Sequence, residues 1–109
     1  MNISRFSKET ASLAHNDTIL ASGVLPKGMK APFQHAWGYV EGGAIEPHAH
    51  PSSEIYMVFM GEGFMTVGSE TCAVSAGDVI EIPANQIHSI RSSGGPMLWA
   101  ALWWMDEPA

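Results

Sequence analysis

From residue 31 onward, apolar and polar positions alternate in short runs broken by glycine, proline and small polar residues. The runs fall at 33–40, 54–60, 64–67, 71–74, 79–82, 87–91 and 97–104, and a further short run leads into Pro47. Side chains two apart share one face of a strand, so this period predicts about eight short strands and no sustained helix. Gly42-Gly43, Gly61-Glu62-Gly63, Gly68-Ser69-Glu70 and Ser92-Ser93-Gly94-Gly95-Pro96 supply the turns between them. Strands at that spacing predict an all-β sandwich or barrel. Residues 1–30 lack the pattern: 7–14 read as a short helix or irregular lead-in, and 23–28 as turn and loop. The expected organisation is a single domain, with 31–109 as the barrel and 1–30 as a lead-in that packs on it or on a partner subunit.

Several of these strands are apolar on both faces. Ile55, Met57 and Phe59 alternate with Tyr56, Val58 and Met60, so both sides need cover. Adjacent Trp103 and Trp104 must point to opposite faces, which leaves one outside the sheet. These features predict a homodimer, with the N-terminal segment exchanged or packed alongside.

Charge narrows the partners. The net charge is −6, and Arg5, Lys8, Lys27 and Lys30 all lie in the first 30 residues. The body from Ala31 onward carries Arg91 against nine acidic residues, a balance that repels a nucleic-acid backbone. No nucleic-acid partner is expected. No apolar run is long enough to span a bilayer as a helix, and residues 1–14 do not read as a signal peptide. The expectation is a soluble, cytoplasmic protein that takes a small-molecule ligand. Cys72 is the single cysteine, which excludes an internal disulfide. It has no base near it in sequence and reads as a buried structural thiol.

Five histidines are present, His15, His35, His48, His50 and His88. His48, His50 and Glu54 have the same parity and would point the same way on an unbroken strand, although Pro51 and Ser52-Ser53 interrupt it. A His-X-His pair on a strand puts two imidazoles within reach of one ion, Glu54 offers an anionic ligand, and His88 lies on another predicted strand. Each residue alone has an ordinary structural reading. It is the combination that points to metal.

The spacing also carries a family resemblance. Gly42, five residues, His48, one residue, His50, three residues, Glu54, six residues and Gly61 resembles the first cupin motif at each fixed position. Gly77, five residues, Pro83, four residues and His88 resembles the second, and 15 residues separate Gly61 from Gly77. Asn85 stands where the second motif has glycine, and Ser92 where it has asparagine. Asparagine tolerates the left-handed conformation that the turn requires. The resemblance implies a double-stranded β-helix, the cupin jelly-roll barrel. It further implies a metal inside the barrel, held by His48, His50, Glu54 and His88. Four such ligands leave about two positions open on an octahedral ion. Iron, manganese, nickel and zinc all suit the set, and the sequence does not choose among them.

The family spans dioxygenases, decarboxylases, isomerases, lyases, storage proteins and effector-binding domains, and fold alone does not select one. The first expectation is a metal-dependent enzyme on a small oxygen-bearing substrate. The alternative is a non-catalytic module that binds a sugar or small acid. Tyr56 shares parity with Glu54 and is the candidate proton donor or ligand contact, with simple packing as the even alternative. His35, Trp37 and Tyr39 share a face and could line the pocket, but packing is the ordinary role for Trp37, and a surface or packing role for His35. For Arg91 a surface ion pair comes first and a carboxylate clamp second.

Overall fold

The computed structural model describes residues 1–106. It holds nine strands: β1 (Ser12–Ala14), β2 (Ile19–Ser22), β3 (Gln34–Glu41), β4 (Ser53–Met60), β5 (Glu62–Val67), β6 (Glu70–Ser75), β7 (Val79–Ile82), β8 (His88–Ser92) and β9 (Pro96–Trp104). Every pairing is antiparallel. One sheet has six strands in the order β1-β2-β3-β9-β4-β7, and the other has three in the order β6-β5-β8. Strands β3 to β9 answer to the seven runs read from the alternation. No helix forms among the described residues, and none is therefore long and apolar enough to cross a membrane.

The chain start departs from expectation in form. Residues 7–14 make a turn and then β1, not a helix. A four-residue loop returns the chain as β2, which pairs with β3 through Leu20–Tyr39, Ala21–Gly38 and Ser22–Trp37. The large sheet thus begins well before residue 31. Phe6 packs against Trp37 and Tyr39 on the outer face of β3, with ring centroids 6.3 and 5.2 Å away. Lys8 and Tyr39 both bond to the Glu41 carboxylate. The N-terminal segment therefore packs on its own barrel.

The segment between β3 and β4 is the run that leads into Pro47. It forms no strand of its own, yet it lies along β8 through the isolated bridges Ala44–Arg91 and His48–His88. Ile45 N–H donates to Ile90 O at 3.0 Å and Ser92 N–H to Gly43 O at 2.9 Å. This broken strand widens the small sheet and draws the first motif to the second.

Between the sheets lies the core. Trp99, Tyr56, Ile45, Ile82, Ile90, Met97 and His88 are fully buried within it. Burying one large apolar side chain contributes about 1.5–3 kcal/mol. Trp99 fits because it faces Gly38 across the β3–β9 ladder. Gly61 turns the chain from β4 to β5 at φ +84°, and a Cβ there would also collide with the Pro96 carbonyl. Asn85 adopts φ +68°. The turn of the second motif thus survives its departure from glycine.

Three sequence readings are corrected on the surface. Cys72 is exposed, because β6 is the outer strand of the small sheet and nothing packs over that position. Arg91 makes no ion pair among the described residues; its guanidinium lies 4.5 Å over the Phe64 ring. His35, Trp37 and Tyr39 share a face as expected, and Phe6 and Phe59 pack against Trp37 there; of the three, Trp37 borders the cavity and His35 and Tyr39 do not. His35 Nδ1 accepts from Val24 N–H at 2.9 Å and so pins the loop after β2. Trp103 faces the interior and Trp104 the outside.

Gly38 gives a direct test of the packing. A Cβ there would lie 2.6 Å from Trp99 Nε1, inside contact distance, with two ring carbons closer still. Gly38→Val should cost about 1–3 kcal/mol by overpacking, and each kcal/mol lowers Tm by roughly 4–8 °C in a domain near this size. Calorimetry that showed an unchanged Tm would refute this account of the core.

Candidate metal centre

The centre is built from three places in the chain. His48 lies on the broken strand, His50 just after it, and His88 opens β8. Two backbone hydrogen bonds join the first to the last: His48 N–H donates to His88 O at 3.1 Å, and His88 N–H to His48 O at 2.9 Å. Asn85 N–H donates to His50 O at 2.8 Å, so the left-handed Asn85 turn fixes the second histidine as well. Ring centroids lie 4.2 Å apart for His48–His88 and 4.9 Å for His50–His88. One ring nitrogen from each lies within 4.8 Å of the others, a grouping that could hold a metal ion.

Each imidazole is oriented by its Nδ1. His48 Nδ1 lies 2.8 Å from Glu46 O, His50 Nδ1 3.1 Å from Ser52 O, and His88 Nδ1 2.9 Å from Gln86 O. A carbonyl only accepts, so the Nδ1 of His48 and of His88 carries the proton and leaves a lone pair on Nε2, whereas His50 Nε2 is hydrogen-bonded to the Glu54 carboxylate. Such bonds to the far nitrogen set tautomer and ring direction in metal-binding histidines. Ser52 Oγ, 2.8 Å from His50 Nδ1, adds to the hold on that ring.

Glu54 projects inward from β4 and is almost wholly buried. Its Oε1 lies 2.9 Å from His50 Nε2 and 3.1 Å from His88 Nε2. The His88 contact is close in distance but lacks hydrogen-bond geometry, and His88 Nε2 is buried with no hydrogen-bond partner among the described residues. Lone pairs facing a carboxylate at this range repel unless a proton or a cation sits with them. A buried nitrogen without a partner is costly, and a cation would satisfy it. The donor set, neutral imidazoles beside one carboxylate, suits a divalent transition metal.

The titration directions agree with a site that attracts positive charge. Burial works against protonating His88, but the Glu54 carboxylate and the Gln86 carbonyl outweigh it and hold its pKa above the usual value. Burial lowers the pKa of His48, which keeps that ring neutral. Burial first, and the Glu54 charge second, push the Tyr56 phenol well above its ordinary value.

A cavity of about 230 Å³ opens beside the three rings. Ile19, Ala21, Ile45, Trp99 and Trp103 give it apolar walls, while His15, His48, His50, Glu54 and Tyr56 bring polar groups. Neither lysine nor arginine lines it. Tyr56 stands inward beside Glu54 as the parity predicts, stacked on Trp99 at 5.8 Å and edge-on to His88 at 6.0 Å.

Two contributors escaped the sequence reading. His15, in the loop between β1 and β2, lines the cavity with its ring 4.5 Å from that of His48. A hairpin signal was available in Leu13-Ala14 and Ile19–Ala21 flanking His-Asn-Asp-Thr, though it says nothing of where the hairpin docks. Ser52 had no signal at all.

Comparison with known proteins agrees with this architecture. Residues 35–105 match the family model described as a cupin domain. A cupin 2 conserved barrel domain protein from Salinispora arenicola superposes with a TM-score of 0.82 at 24% identity, covering 95% of this chain and 88% of that one. A Photorhabdus luminescens protein gives 0.79 at 28% identity, with the same 95% and 88% coverage. A Thermotoga maritima protein described as a predicted oxalate decarboxylase gives 0.72 at 24% identity, covering 81% of each chain. No curated protein matches in sequence. The two spaced motifs, the two-sheet barrel and the matched span of 35–105 together place the chain in the cupin family.

Proposed function

We propose that the chain is a metal-dependent enzyme acting on a small oxygen-bearing molecule, with His48, His50, Glu54 and His88 as the ligands of one divalent ion. The observation that carries this reading is the orphaned His88 Nε2, buried beside the Glu54 carboxylate with its Nδ1 already committed to Gln86 O. When bound, an iron, manganese, nickel or zinc ion supplies Lewis acidity toward a substrate oxygen.

The chain's own groups then have definite tasks. The apolar walls exclude water from the ligand. No lysine or arginine lines the cavity, so no side chain of either type is there to offset a negative charge on the ligand. Tyr56 stays protonated because burial and Glu54 both oppose its ionisation, so its phenol acts as a hydrogen-bond donor toward the ligand. The stack on Trp99 fixes the direction of that donor.

The outer face of the large sheet supports the homodimer as a further part of this proposal. Phe59 and Trp104 remain 54% and 36% exposed there, on a face that Phe6 covers only at Trp37 and Tyr39. Light scattering should give twice the chain mass, and Phe59→Glu should halve it. A monomeric wild type would remove the dimer.

Elemental analysis of protein purified without a histidine tag should find close to one transition-metal ion per chain, lost in His50→Ala. Adding metal to stripped protein at about 100 times its Kd should stabilise the fold by roughly 2.7 kcal/mol, visible as a higher Tm. Failure of both would end the metal-dependent reading. Tyr56→Phe keeps the stack and removes one donor. Turnover should fall about 10²–10⁴-fold with metal content unchanged, the usual range for a proton-transfer group. Protein that binds small acids or sugars with no turnover would instead be the non-catalytic module.

A further inference from the structure

We infer that His15 is a direct ligand contact, a hydrogen-bonding group held over the cavity by the β1–β2 loop; this rests on the metal-dependent reading above. The loop is unusual in its backbone. His15, Asn16 and Asp17 have φ of +52°, +56° and +61° in succession, without a glycine among them. Positive φ at a non-glycine residue costs free energy and persists where the surroundings impose it. Here the surroundings are visible. Asn16 Nδ2 donates to Glu46 Oε2 at 2.9 Å, and Glu46 N–H donates to Thr18 Oγ1 at 3.4 Å. Thr18 Oγ1 in turn donates to His15 O at 2.6 Å. The loop is thereby tied to Glu46, whose carbonyl also accepts from His48 Nδ1. The same residue that orients the His48 ring anchors the loop that carries His15.

What the loop achieves is to lay one imidazole beside another. The His15 ring lies 4.5 Å from the His48 ring at an interplanar angle of 41° and faces the cavity. Among the described residues no hydrogen bond uses either of its ring nitrogens, whereas His48 and His88 each have one engaged and His50 has both. Its ring nitrogens are thus available to whatever fills the cavity. The His15 side chain is exposed at the cavity mouth rather than enclosed in the core, so its nitrogens can turn toward a ligand without first losing a partner in the protein. Tyr56 donates from the inner side, beside Glu54, and His15 serves a second polar atom of the ligand from the β1–β2 side. The ligand class this arrangement fits is a small, largely apolar molecule with two adjacent oxygen functions, one set for the ion and one for the chain.

Two variants separate hydrogen bonding from packing. His15→Phe keeps an aromatic ring against His48 and loses both polar atoms, while His15→Gln keeps polar atoms and loses the ring. The probe is acetohydroxamate, a small chelator with adjacent oxygens, titrated calorimetrically into the metal-loaded chain. Metal content of each variant is measured in parallel. His15→Phe should hold the wild-type complement of metal and bind the probe about tenfold more weakly, the loss of one good hydrogen bond. His15→Gln should bind it within about threefold of wild type. Equal probe affinity in wild type and His15→Phe overturns the inference and leaves His15 as a packing residue. Loss of metal in His15→Phe overturns it too, because the ring would then act by supporting His48. A wild-type chain that takes up no metal is a different failure, one of the metal-dependent reading itself.

Discussion

The two backbone hydrogen bonds between His48 and His88 are the constraint on which the centre depends. They make these residues a directly opposed antiparallel pair, although the chain around His48 is too irregular to count as a strand. Opposed residues in such a pair project to the same side of the sheet, so two imidazoles arrive together without any side-chain force to gather them. The Asn85 to His50 bond adds the third ring by the same means. Backbone geometry, set by the ladder between the broken strand and β8, thus does most of the positioning. The carbonyls of Glu46, Ser52 and Gln86 then fix how each ring is turned.

Glu54 comes from the opposite sheet. Its position follows from the β4 ladder with β7 and β9, where it faces Ile82 and Trp103. The centre therefore straddles the two sheets, and its geometry depends on the core that holds them apart. Gly38, Trp99 and Tyr56 belong equally to packing and to the cavity wall. A change of core volume at β3 or β9 is transmitted to Tyr56, because close-packed interiors pass strain on.

Much of this was legible in the chain because it rests on local rules. Period-two alternation located β3 to β9, and parity put Glu54 and Tyr56 on one inward face. The odds on Asn85 followed from its known tolerance of positive φ. What escaped depends on long-range docking. The short strands β1 and β2 carry a hairpin signal at most, and nothing in residues 12–22 states that the loop between them reaches His48. Cys72 reads as a buried structural thiol because no base lies near it in sequence, but β6 is an edge strand, and edge position is a property of the assembled sheet. Arg91 was weighed for carboxylates, while its nearest partner is the Phe64 ring, opposite it on β5.

The matched family core begins at residue 35, yet the cavity has walls at His15, Ile19 and Ala21. The histidine cluster and this N-terminal wall thus belong to different stretches of sequence, joined mainly through Glu46 and the β2–β3 ladder. Substitutions in the early hairpin can reshape the cup while the histidine cluster stays as it is, so the shape of the cavity can be altered by editing a loop of four residues without touching the barrel.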